Sequence, residues 1–298
     1  MRKDLSNTFV IGDVHGCYHT LLNLIKKLPF DAELIFVGDL CDKGNFSKEV
    51  IEFVIQNKYA CVKGNHEHLF EKYILDAVEN DIHSPWSSDK RYGGEVCIQS
   101  YKGDTELIKQ HHSWIARLPM YLEIQNYFIT HGFALELYKH KDNEEYYNDF
   151  LLKRYYKDTV EPSVDEDIIN VFGHCVFSKV QKGEKFFCLD TGCSSGGYLS
   201  ALCLATEEII QEKMDKKDSS YRVKELKIES FNTQISLEDI QNITLKKSCL
   251  YADYDVISHE VLMHIVQTYK DEGLKEVKEM KKRGVIFPKQ LHRVLETL

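Results

Sequence analysis

Six side chains of metal-ligating type stand in five short clusters. These are Asp13 and His15 in GDVHG (12–16), Asp39 in GDLCDKG (38–44), Asn65 in GNHE (64–67), His131 in ITHG (129–132) and His174 in FGH (172–174). Carboxylate, imidazole and amide donors without a thiolate suit manganese, iron or zinc better than calcium or magnesium alone. Asp39 is the natural bridge between two ions, because one carboxylate has two oxygens to share. A water held between ions ~3.5–4 Å apart loses a proton near neutral pH and attacks phosphorus in line with the departing oxygen. The chemistry implied is hydrolysis of a phosphate ester, with a metal-bridging hydroxide as nucleophile.

The departing oxygen needs a proton. His66, next to Asn65, is placed to supply it, and Asp42 is placed to orient the imidazole. Charge developing on the non-bridging oxygens calls for cations: Lys43 and Arg154 first, Arg91 with less reason, and Asn65 beside them as a phosphate contact. Taken singly, each cluster has an ordinary reading. Gly-Asp is common turn chemistry, an isolated histidine is commonly a satisfied core residue, and GNHE alone describes a helix start capped by Asn65. Five clusters in order, each after an apolar run, argue for a site. Glu67 is expected to orient a neighbour, and Cys17, Cys41, Cys175 and Cys193 to serve as small core residues. A non-catalytic scaffold would have lost ligands or the acid; this chain keeps all six and His66.

Strands must deliver these clusters. Residues 8–11 (TFVI), 34–37 (LIFV) and 60–63 (ACVK) are short apolar runs ending at Gly12, Gly38 and Gly64. Apolar faces at helical spacing lie between them, over 19–28 and 47–55. Asp13, Asp39 and Asn65 are successively 26 residues apart, as two similar right-handed crossovers of a parallel sheet require. Ligands bind at the C-terminal edge of such a sheet. The pattern then predicts a helix over 66–78, a polar loop over 84–95 and a helix over 104–116. Strands follow at 121–124, before His131, before His174, at 185–190 and at 199–205, forming a second, mostly antiparallel sheet. Two sheets with helices outside make an α/β sandwich, interrupted at 135–167 by a helical insertion near the site. Residues 1–207 would be the catalytic domain. Residues 208–298 carry no chemical motif: a charged exposed stretch, a strand at 221–231, a capped helix from Ser236 and two or three helices over 258–298, with Pro288 in a first turn. This extension suits packing or protein contact.

With 298 residues and 43% hydrophobic content the chain can bury a sizeable core. A net charge of −9 argues against a general nucleic-acid binder, yet allows phosphate substrates, because metal ions bring positive charge. No apolar run nears the ~20 residues of a membrane span, and the N-terminal run is too short for a signal peptide. Nine cysteines without CxxC spacing read as reduced thiols, and the expected compartment is the cytoplasm.

GDVHG, GDLCDKG and GNHE, with the two later histidines, resemble the calcineurin-like metallophosphoesterases, and within them the phosphoprotein (serine/threonine) phosphatases of bacteria and phages. GDVHGCY, Gly93–Gly94 and DTG at 190–192 strengthen the likeness, which covers about residues 7–207. It implies a two-sheet α/β metallophosphoesterase sandwich flanked by helices, followed here by a C-terminal helical appendage. It places Asp13, His15 and His174 on one ion, Asp39 between ions, and Asn65 and His131 on the second, with His66 as general acid and Asp42 as its partner. Manganese is the first choice for both ions, with iron and zinc as alternatives. The family's phosphate-binding arginine after that aspartate is Lys43 here, which keeps the charge without the fork. Its second arginine corresponds to Arg154, in DFLLKRYY without the family's tryptophan, and its second glycine after the third histidine motif is Phe133. The implied substrate is a phosphorylated protein or small phosphoester. The alternative is a symmetrical bis(5'-nucleosyl)-tetraphosphate; Asp42 favours the former, since the hydrolases of the latter often lack it.

Overall fold

The computed structural model describes residues 4–219 except 90, 157–161, 163, 165 and 166. The strand and helices expected beyond 219 lie outside the described residues. Three strands, β1 (Thr8–Ile11), β2 (Glu33–Phe36) and β3 (Ala60–Cys61), run parallel through two crossovers, α1 (Tyr18–Ile25) and α2 (Ser47–Gln56). Helix α3 (Asn65–Glu79) follows, then α4 (Pro85–Ser88), α5 (Gly94–Ser100) and α6 (Thr105–Ile115). The remaining elements are β4 (Tyr121–Ile124), β5 (Tyr127–Thr130), α7 (Tyr147–Leu152), β6 (Ile169–Phe172), β7 (Gln181–Lys182), β8 (Phe186–Cys188), β9 (Tyr198–Cys203) and β10 (Ile209–Lys213).

Two five-stranded sheets result, ordered β10-β9-β1-β2-β3 and β4-β5-β6-β8-β7. This departs from expectation in three places. The later strands do not all enter the second sheet: β9 returns to pair antiparallel with β1, and β10 adds an edge beyond it. The residues of β10, read as a charged exposed stretch, include the half-buried pair Ile209 and Ile210. The second sheet is mixed rather than mostly antiparallel, since β5–β6 and β6–β8 are parallel. The segment joining β5 to β6 is long enough for a crossover and carries short helical turns and α7. Finally, the loop at 84–95 contains α4 and the start of α5. Ser84 caps α4 by accepting from the Ser87 N–H, and Pro85 takes its first position.

Strand alternation sorts the interior. In β1 and β2, Phe9, Ile11, Leu34 and Phe36 face one apolar cluster shared with α1, α2, α3, α5 and α6. Val10, Ile35 and Val37 face a second, where they meet Ile129, Val171, Phe187 and Leu202. A third cluster, with Phe128, Phe150 and Phe172, lies on the far side of the second sheet. Period-two strands with both faces covered leave only their ends for polar chemistry. No helix among the described residues is long and apolar enough to cross a membrane. The eight described cysteines are free and buried.

The packing under α5 and α6 includes a buried contact between Tyr101 and His111. The buried Tyr101 hydroxyl and His111 Nδ1 share a hydrogen bond of 2.7 Å. Burial, with Lys48 adding to it, pushes His111 down to about 4 from an ordinary 6.5. The unfolded chain therefore takes up a proton near pH 6.5 that the folded one refuses until about 4. The stabilisation is complete above 6.5 and is lost as pH falls through that window. His111→Gln should remove about 3 kcal/mol of the stability difference between pH 7.5 and pH 4, measured by denaturant unfolding. Parallel pH profiles for the two proteins would contradict this.

Candidate metal centre

The five clusters follow β1, β2, β3, β5 and β6, and the loops that carry them are stitched together. The N–H groups of Val14 and His15 donate to the Asp39 carbonyl, and Gly16 N–H donates to that of Leu40. Glu67, fully buried in the first turn of α3, accepts from the N–H groups of Asp39, Leu40 and Gly64 at 2.7, 2.7 and 2.9 Å. It is thus the orienting residue expected. From the second sheet, Asn170 donates to Phe128 O and Thr130 Oγ1 and accepts from Ala134 N–H, fixing the chain around His131. The loops are strained. Of ten described non-glycine residues with positive φ, five are His15, Asp39, Asp42, Lys43 and His174. Such strain persists where the surrounding structure over-determines it, and it concentrates at functional sites.

Within this frame the expected ligands converge. His15 Nδ1–H donates to Cys41 O at 2.9 Å, and His131 Nδ1–H crosses between sheets to Val37 O at 2.8 Å. Each ring spends its proton on a carbonyl, which leaves the Nε2 lone pair facing inward. His15 Nε2 lies 3.4 Å from Asp39 Oδ2, and His131 Nε2 lies 3.4 Å from Asp39 Oδ1. One carboxylate thus turns a different oxygen to each imidazole. His131 Nε2 also meets Asn65 Oδ1 at 2.8 Å, and His174 Nδ1 meets the same oxygen at 2.9 Å. These are largely acceptors facing acceptors. Protonating the rings would relieve the conflict, but burial pushes His131 and His174 down to about 3 and His15 well below its ordinary value. Burial likewise drives Asp13 up, and neighbouring Asp190 and Asp39 add to it. His174 Nε2 is buried without a well-formed hydrogen bond among the described residues. A buried donor set of this kind fits divalent cations, and the His and Asp groups are positioned for a dinuclear centre.

One expected grouping changes. The His174 ring stands with Asn65 and His131, its centroid 5.1 Å from that of His131. Only its backbone N–H reaches Asp13, at 3.1 Å. The turn at Gly173 explains this: a Cβ there would run into Asp13 Oδ1, so glycine lets the backbone, rather than the ring, approach Asp13.

His66 and Asp42 are in contact, with His66 Nδ1 2.6 Å from Asp42 Oδ2. Both are buried, and burial pushes His66 down to about 4 and Asp42 up to about 8. Burial thus disfavours charge on both groups and favours a proton held between them. Whether the shared proton rests on Oδ2 or Nδ1, the far nitrogen Nε2 can carry a proton, and it lies 4.0 Å from Asp39 Oδ2. Trp86 Nε1–H donates to the same Asp42 oxygen at 2.7 Å, and Ser47 Oγ accepts from Asp42 N–H. Trp86 and Ser47 were not expected at the site. One of only two tryptophans in the chain, inside a polar stretch, was the available signal.

With that geometry in view, comparison with known proteins is direct. A family model described as calcineurin-like phosphoesterase matches residues 7–269. The chain belongs to the calcineurin-like phosphoesterase family. The match runs beyond the 7–207 over which the motifs were recognised. Among curated relatives, serine/threonine-protein phosphatase 2 of Escherichia coli (strain K12) is 30% identical over 210 residues, 64% of this chain and 90% of its own. An asymmetrical bis(5'-nucleosyl)-tetraphosphatase of Anoxybacillus flavithermus is 29% identical over 228 residues, 65% of this chain and 88% of its own. A crystal structure described as that of a candidate diadenosine tetraphosphatase superposes with a TM-score of 0.54. It is 21% identical and covers 72% of this chain and 97% of that one; this likeness shows the fold. The protein is accordingly a hydrolase of this family.

The remaining residues separate into near and far. Lys43 Nζ donates to His15 Nε2 at 2.8 Å, so an ammonium already stands among the metal-type ligands. Gly93 makes room for it, since a Cβ there would meet the Lys43 backbone, and Gly94 makes room for Trp86. Arg154 lies beside the second group, with Nη1 3.5 Å from His174 O. Arg91 instead pairs with Asp89 on the surface, 2.5 Å from Nη2 to Oδ2. Phe133 is buried against Tyr155, Phe172 and Phe186, which accounts for a large side chain at this position. Asp190, of the DTG run, is buried beside Asp13. Removing Glu67 would strand three N–H donors under these loops. Glu67→Ala should lower stability by about 3 kcal/mol or more and reduce the metal bound per chain; a loss under about 1 kcal/mol with full metal uptake would show that the loops hold themselves.

Proposed function

We propose that this metallophosphoesterase is a phosphoric monoester hydrolase of the serine/threonine protein phosphatase kind. The observation that carries the reading is the Asp42–His66 pair, 2.6 Å apart and braced by Trp86. A serine or threonine alkoxide is a poor leaving group and needs a positioned acid; the phosphate released from a dinucleotide needs one far less. In this reading Asp13, His15 and Asp39 hold one divalent ion, and Asp39, Asn65, His131 and His174 hold the other. Such ions, when bound, would supply Lewis-acid charge and lower the pKa of water beside them. Lys43, Arg154 and Asn65 orient the phosphoryl group and offset charge on its free oxygens. His66 gives the Nε2 proton to the departing alkoxide, while Asp42 holds the ring and passes its own proton to Nδ1 across the 2.6 Å contact. Manganese suits this oxygen- and nitrogen-only set, with iron and zinc as alternatives. Free, buried thiols support a cytoplasmic setting. In this proposal the catalytic domain runs past the expected boundary at residue 207 to take in β10, which pairs with β9 in the first sheet, and the residues beyond 219 serve protein contact.

A second reading, hydrolysis of a bis(5'-nucleosyl)-tetraphosphate, has the tetraphosphatase likeness in its favour. The ratio of kcat/KM on a phosphothreonine peptide to that on diadenosine tetraphosphate decides between them. Expected is a ratio well above one; the reverse selects the second reading, and the products (two ADP, or ATP and AMP) tell symmetrical from asymmetrical cleavage.

His66→Asn should lower turnover on the phosphopeptide by ~10²–10⁴, with far less effect on an aryl phosphate whose leaving group needs no proton. Equal losses on both substrates would remove the acid role. Asp39→Asn should leave fewer than two manganese ions per chain by elemental analysis; retention of both would argue against a bridging carboxylate.

A further inference from the structure

Cys41 and Cys97 flank Asp42, and the reaction uses neither thiol. Their sulfur and oxygen atoms lie within 4.8 Å of one another, and all three residues are fully buried. Asp42 commits Oδ2 to His66 and Trp86. Its other oxygen, Oδ1, is buried without a strong donor; beyond His66 and Trp86 the carboxylate has the Cys97 thiol, a weak donor, as a further partner. Cys41 belongs to the loop after β2 and Cys97 to α5, so each element brings one sulfur.

We infer that Cys41, Asp42 and Cys97 form a separate site for a thiophilic divalent cation, zinc or cadmium, whose binding inhibits the enzyme by drawing Asp42 away from His66. The inference rests on the proposed acid role of the pair only for the inhibition; ligation by the thiols stands apart from it. Softness separates this cluster from the dinuclear centre. The centre presents nitrogen and oxygen donors alone, while two thiolates and a carboxylate select zinc or cadmium over manganese. Tetrahedral zinc, with bonds of about 2.0–2.3 Å, places its donors about 3.6 Å apart, so contraction by about an ångström closes the site on three ligands and leaves the fourth position to water. Two S–H bonds break, two sulfur–metal bonds form, and both protons pass to solvent. The contraction shifts Asp42 and shares its electrons with the cation, and both effects weaken the 2.6 Å contact with His66 Nδ1. Val96 and Ser100, flanking the Cys97 turn of α5, line an open pocket of about 150 Å³ that reaches Asn45 and Glu49. The pocket brings solvent to that turn.

The test uses the full chain loaded with manganese and titrated with cadmium, comparing the unsubstituted protein with Cys97→Ser and, should that variant fold poorly, Cys97→Ala. Expected for the unsubstituted protein is an ultraviolet thiolate-to-cadmium absorption band and a tenfold or greater fall in phosphopeptide turnover. Expected for the variants is unchanged turnover before cadmium, no such band, and resistance to inhibition. No band in the folded unsubstituted protein, or a band of equal strength in the variants, overturns the site. Equal inhibition of all three proteins overturns the mechanism of inhibition. If manganese-loaded protein cleaves no phosphoester, the functional reading fails, and the band still decides whether the cations bind these thiols.

Discussion

The constraint on which this structure depends is an excess of buried acceptors at the meeting point of two sheet edges. Asp39 presents one oxygen to His15 and the other to His131, each at 3.4 Å, and both rings have already given their Nδ1 protons to backbone carbonyls. In water such groups would protonate or turn outward. Here burial keeps the rings neutral and packing keeps them facing inward. Cations resolve that conflict without new donors, and the Lys43 ammonium at His15 shows the demand for positive charge.

Holding acceptors together requires a rigid frame, and the frame is apolar. The layer between the sheets joins Val10, Ile35 and Val37 to Ile129, Val171 and Phe187, so the edge carrying Asp13 and Asp39 cannot slide past the edge carrying His131 and His174. The His131 bond to Val37 O spans the same gap. Glu67 then ties the β2 and β3 loops through three N–H groups. With that support, five residues of the site hold a backbone conformation that side chains ordinarily avoid.

The acid pair is a second construction laid over the first. Asp42 comes from the loop after β2, His66 from the start of α3, and Trp86 from a short helix in a polar stretch. Removed from solvent, the histidine resists charge and the aspartate resists losing its proton, so the two favour sharing one proton across their contact. Cys97, on the next helix, approaches the same aspartate from the other side, which joins the chemistry of the site to two thiols that take no part in it.

Much of this was legible in the chain. Strand runs ending in Gly-Asp or Gly-Asn, the 26-residue spacing and helical periodicity are local properties, and they place Asp13, His15, Asp39, Asn65 and His66 at one sheet edge because backbone sterics and crossover handedness act over short distances. The candidate ligands and the acid pair could be named from those features. What only the tertiary structure decided depends on contacts between segments far apart in the chain. It returned β9 to the first sheet, made the second sheet mixed, turned the His174 ring toward Asn65 rather than His15, and brought Trp86 and Cys97 to Asp42. A strand's pattern records that it has two covered faces but not which neighbour covers them, and a side chain's type records what it can bind but not which way packing will turn it.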